Sequence, residues 1–95
     1  MTYKPNPVDL SEIKLDAELS EDVEKISCHI HEVWAKNRIE NGWEYDNADE
    51  NHPCLIKYED LPEAEKNLDR ATVTQTIKML LHLGYEIRKG HKKNV

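Results

Sequence analysis

The sequence has no phenylalanine, three glycines, four prolines and two cysteines. Each shortage excludes something. Three glycines are too few for a glycine-rich loop that cradles phosphate, so a nucleotide-hydrolysing fold of that kind is excluded. Two cysteines, Cys28 and Cys54, cannot staple a small secreted scaffold, and reduced thiols are the default expectation. There is no Asn-x-Ser/Thr acceptor for N-linked sugar. No apolar run approaches the roughly 18 residues of a membrane span; the longest, such as Met79-Leu80-Leu81, are three residues. The opening Met1-Thr2-Tyr3-Lys4-Pro5 lacks the apolar segment of a signal peptide. A cytoplasmic protein without membrane insertion is expected, and not a channel, transporter or secreted precursor acting alone.

What is present is charge. The 95 residues are 34% charged and 38% hydrophobic, which is enough apolar material for one modest core. Nineteen acids face thirteen bases, net −6, and the excess is uneven. Residues 1–70 carry −10, whereas residues 71–95 hold a single acid, Glu86, and carry +4. An acidic body repels a polyanion, so nucleic acid is an unlikely partner. The tail from Arg88 to Lys93 reads as a solvated basic end.

The chain is expected to form a single, mainly α domain over residues 1–95: an arm (1–18), a body (19–87) and a basic tail (88–95). Pro5 and Pro7 hold the arm extended, and Val8, Leu10, Ile13 and Leu15 are expected to pack on the body. Ser20 reads as the N-cap of a helix over about 20–40, with Glu21 and Asp22 in its first turn. Leu19, Val23, Ile26, Ile30, Val33 and Asn37 recur at three- and four-residue steps and predict its buried face. Gly42 supplies the stop. Short strands are expected around 43–45, 54–56 and 85–87. Asp60 and Pro62 predict a short helix over 62–69. Thr72 and Gln75 read as a capping box for a second long helix over 72–84, ended by Gly84. The two long helices are expected to lie antiparallel.

Metal and catalytic chemistry find little support. Cys28 and His31 lie three apart and His52 and Cys54 two apart, which matches no standard zinc finger. Asn47-x-Asp49-x-Asn51 starts like a calcium loop, but His52 stands where glycine is needed and Tyr58 where glutamate is needed. Neither cysteine has an evident activating context, and the carboxylates are scattered. No enzyme, cofactor or metal is expected. The aromatics say more. Trp34 and Arg38 share a helix face, and Trp43 follows the helix end; an indole beside a guanidinium suits a flat heterocycle carrying an anion. The competing reading packs Trp34 in the core and pairs Arg38 with a carboxylate.

Several blocks together resemble a known family. They are Tyr3-Lys4-Pro5-Asn6-Pro7-Val8-Asp9; the run from His31 to Tyr45, with its W-A-x-x-R-I-x-x-G-W-x-Y pattern from Trp34; His52-Pro53-Cys54-Leu55; Leu61-Pro62-Glu63-Ala64-Glu65-Lys66; and the segments Asp69-Arg70-Ala71-Thr72 and Thr76 to Tyr85. From Tyr3 to Ile87 the chain closely resembles the RyR repeat domain of ryanodine receptors, in the stand-alone form found in bacteria and phages. The resemblance implies a two-helix unit with short strands, which occurs in the channels as tandem pairs away from the pore. It also implies a recognition role, with the counterpart of Trp34 lining a cleft that holds an adenine nucleotide. Trp34, Arg38, Trp43, Tyr45 and Arg70 are the candidate ligand-binding residues: the indoles to stack on a base, Arg38 or Arg70 to meet an anion. The alternative is a protein-interaction module, a two-fold homodimer mimicking the tandem without any small molecule. The chain departs from the family at Asp46, where glycine is common, and at Cys28 and His29, where the channel copies tend to carry Glu and Asn.

Overall fold

The computed structural model describes residues 2–42 and 55–90. Two helices dominate: α1, Ala17–Glu40, and α2, Glu63–His82, with a 3-10 turn, Tyr58–Asp60, leading into α2. Among the described residues there is no strand. Residues 85–87 and 55–56, expected within strands, are irregular instead, with no ladder partner among the described residues to take their backbone hydrogen bonds, and Cys54 lies outside those residues. Residues 43–45, the remaining expected strand of the connecting loop, lie outside the described residues.

Helix α1 starts three residues before the expected 20. The Asp16 side chain accepts from the Leu19 N–H at 2.8 Å and is the cap. Ser20, the expected cap, already sits inside, its N–H bonded to the Asp16 carbonyl at 3.0 Å. The far end stops as expected at Asn41-Gly42, where Gly42 adopts φ +98°.

Helix α2 is continuous where two helices, 62–69 and 72–84, were expected. No glycine or proline interrupts 63–82, so nothing forces a break. Thr72 caps nothing; its hydroxyl donates back to the Leu68 carbonyl at 3.0 Å, as Thr76 does to Thr72 at 2.7 Å. Asp60 is not a cap either; it belongs to the 3-10 turn, and Pro62 occupies the N-cap position without a side-chain bond. The C-terminal end closes as a Schellman motif. Gly84 at φ +101° donates to the Leu81 carbonyl and Tyr85 to the Leu80 carbonyl.

The core gathers Leu10 from the arm, Ala35 from α1, Leu55, Tyr58 and Leu61 from the connection, and Val73 and Ile77 from α2. Its α1 side differs from the expected apolar face. Of the expected face, Leu19, Val23 and Ile26 are half-buried and Ile30, Val33 and Asn37 exposed, while the buried line is Ser27, His31 and Ala35. That line is turned from the Ile30–Val33 stripe by roughly a residue, about 100° of helix rotation. Ser27 can be buried because its hydroxyl donates to the Val23 carbonyl at 2.7 Å. In the arm, Leu10 is buried and Ile13 and Leu15 half-buried, but Val8, expected to pack, is exposed. The tail turns back on α1, with Lys89 Nζ 3.4 Å from the Asp22 carboxylate.

Candidate functional site

Three successive turns of α1 present His31, Trp34 and Arg38 on neighbouring positions of one face. His31 is buried, and its Nε2–H donates to the Ile56 carbonyl at 2.6 Å. Its Nδ1 lies 3.9 Å from Asp69 Oδ2 on α2. One histidine thus ties α1 to the connecting segment by a hydrogen bond and faces α2 through a carboxylate. Burial pushes the Asp69 carboxyl above its ordinary value, and His31 counteracts this.

The Trp34 ring stacks on the His31 ring, with centroids 5.6 Å apart and planes 23° apart. The Arg38 guanidinium carbon lies 5.6 Å from the Trp34 ring centroid, within reach of a cation–π attraction. Both Trp34 and Arg38 are half-buried. A recess of about 200 Å³ opens beside this row, lined by His31, Trp34, Leu61, Glu65, Leu68 and Asp69. Its lining combines aromatic, aliphatic and acidic side chains.

Arg70 does not join them. Its Nε and Nη2 donate to the two carboxylate oxygens of Glu24 at 2.6 and 2.9 Å, a paired contact across the helices. Its Nη1 donates to Glu63 at 3.0 Å and to Asn67 at 2.9 Å. The Tyr58 hydroxyl donates to Glu24 as well, at 2.9 Å. These bonds, that of Arg70 first and that of Tyr58 second, pull the Glu24 carboxyl down to about 2. Glu63 is lowered by the same guanidinium. Arg70 is raised by its hydrogen bonds to Glu24 and Glu63, while burial and the adjacent carboxylate raise the Tyr58 phenol. Arg70 is therefore already answered by two carboxylates.

Of the five candidates, the structure brings Trp34 and Arg38 together and engages Arg70 elsewhere; Trp43 and Tyr45 lie outside the described residues. The sequence places His31 at the start of the resemblance block that contains Trp34 and as a weak zinc candidate, not as a site residue, and names none of Glu65, Asp69, Glu24 and Tyr58 as part of a binding site. For His31 the signal was its place three residues before Trp34, on the same face. For Glu24 there was none, since its partner Arg70 is 46 residues away. Among the described residues no group of His, Cys, Asp or Glu could hold a metal ion. His52, Cys54 and the Asn47–Asn51 run fall outside them. Cys28 is a half-buried free thiol.

The fold is thus a small, mainly helical module whose helices are joined by polar side chains around one half-buried indole. The family model for the RyR domain matches residues 3–89, covering both helices and the connection between them, and the chain belongs to the RyR domain family. No helix among the described residues is long and apolar enough to cross a membrane.

Proposed function

We propose that this chain is a non-catalytic, cytoplasmic recognition module that binds a nucleotide-like small molecule at the Trp34 recess. The observation that carries the reading is the row His31–Trp34–Arg38 set beside a recess with Glu65 and Asp69 on its rim. A flat heterocycle fits against the indole. Exocyclic amines on that ring donate to the carboxylates of Glu65 and Asp69, and an anionic substituent that extends past Trp34 is met by Arg38. At about 200 Å³ the recess is smaller than the ~300–1,000 Å³ of sites that enclose a drug-sized ligand. It therefore seats one ring and leaves the rest of the molecule outside. In this reading Arg70 pins the helices through Glu24, and Trp43 and Tyr45 supply further stacking surface on the strength of the family resemblance.

The test is a fluorescence titration with adenine nucleotides in a Trp43→Phe background, where Trp34 is the single indole. Saturable quenching is expected, weakened by Arg38→Gln while the helical circular dichroism is unchanged, and nucleotide binding followed by calorimetry should be lost in Trp34→Leu. No change at about millimolar nucleotide, the affinity of a minimal contact, overturns the reading.

A further inference from the structure

Apart from the indole of Trp34, the polar side chains lining the recess are His31, Glu65 and Asp69, and each can offer it only hydrogen-bond acceptors. An ionised carboxylate accepts and never donates. The Nε2–H of His31 is spent on the Ile56 carbonyl, so in the neutral ring Nδ1 is an acceptor too. His31 is 4% exposed, and its Nδ1 stands 3.9 Å from Asp69 Oδ2, beyond hydrogen-bond distance. Neither Glu65 nor Asp69 accepts a side-chain hydrogen bond from any described residue. Burial, and after it the charge of Glu65, push the Asp69 carboxyl up against the opposing effect of His31, as befits an anion short of donors.

A ring that suits this lining must bring N–H groups side by side. Among the common nucleobases guanine alone does so, with N1–H next to the N2 amine. Adenine and cytosine set their amine beside a ring nitrogen that accepts, and hypoxanthine and uracil set an N–H beside a carbonyl oxygen. Each of these turns an acceptor toward a carboxylate, which leaves both without a donor. A small cation would supply donors as well, but the Arg38 guanidinium 5.6 Å from the same indole opposes a second positive charge. Guanine brings its donors without one. We infer that the recess selects guanine over adenine, the ring lying against Trp34 and its N1–H and N2–H donating together to the Asp69 carboxylate. This rests on the nucleotide reading above and names its base. His31 is a positioning residue here: it offers Asp69 no N–H in the neutral ring and so leaves that carboxylate open to the base.

The test is calorimetric titration of the full chain with guanosine, inosine and adenosine monophosphates at about pH 8, above the ordinary histidine value. The phosphate is common to all three, so the affinity ratios report the base alone. Guanosine monophosphate should bind about tenfold more tightly than either of the others, the discrimination of one bidentate contact. In Asp69→Asn the amide presents a donor where the carboxylate accepted, and the guanosine-to-adenosine ratio should fall toward one. Glu65→Gln, which leaves Asp69 facing His31, should lower the ratio as well and serves if Asp69→Asn fails to fold. Adenosine monophosphate bound as tightly as the guanosine ligand overturns the inference and leaves the nucleotide reading standing. Binding of none of the three overturns both. A guanosine preference that neither variant reduces overturns the assignment to these carboxylates.

Discussion

The two halves of α2 are attached to the rest of the molecule by different chemistry. The N-terminal half is held by polar groups: Arg70, braced by Glu63 on its own helix, donates to Glu24 on α1, and Asp69 faces His31. The C-terminal half buries Val73 and Ile77 and borders the arm through Met79 and Leu80. Hydrogen bonds and paired charges are directional, so the first half sets how the helices meet. Apolar burial is non-directional and proportional to area, so the second half contributes stability without demanding one geometry. In a chain that can bury only a modest core, this division leaves Leu83 and Tyr85 exposed at the second end. It also leaves a half-buried indole beside the first.

The contrast can be broken most severely at His31. His31→Leu leaves the Ile56 carbonyl without its donor and the Asp69 carboxylate without its facing imidazole, and should cost about 1–3 kcal/mol by urea unfolding. A loss no larger than that of a surface substitution would mean that the polar joint does not set the packing. The helix starts give an intermediate comparison. Asp16→Ala should cost about 1 kcal/mol, because it removes the cap of α1, whereas Thr72→Ala should change stability by less than about 0.5 kcal/mol. Equal losses would argue for a break in α2 at Thr72. The smallest effect belongs to Glu24 and Arg70, which are open to water and screened by salt. Their contribution is fully present above the ordinary carboxyl value of 4.5 and is lost as pH falls through that value toward about 2. The stability difference between the wild type and Arg70→Gln should therefore be constant from pH 7 to 4.5 and shrink below it. A carbon-detected carboxyl titration should show Glu24 returning toward 4.5 in the variant.

How legible each feature was depends on the range of the interaction behind it. Both helix stops were readable, because positive φ at Gly42 and Gly84 is a local property of glycine. The helical character of 20–40 and 72–82 was readable from periodicity. The true start of α1 was missed because Asp16 and Ser20 are both sound caps, and only the backbone path distinguishes them. The break expected in α2 came from treating Thr72 as a cap when its hydroxyl folds back on its own helix. Trp34 and Arg38 were found as a pair because they are neighbours on one helix turn; Glu65 and Asp69 come from another helix and stood only within the blocks that carry the family resemblance, with nothing to place them beside Trp34.

By itself, then, the sequence determined the helical class, the two glycine stops, the shortage of apolar material and the acidic body followed by the acid-free stretch 71–85. These follow from local backbone preference and from composition. Tertiary structure alone decided which side of α1 is buried. Leu19, Ile26, Ile30 and Val33 carry the apolar period, yet Ser27, His31 and Ala35 line the core. A helix can bury only the face that another element covers, and where α2 and the connecting segment lie is set by contacts such as His31 to Ile56 and Glu24 to Arg70, across 25 and 46 residues of chain.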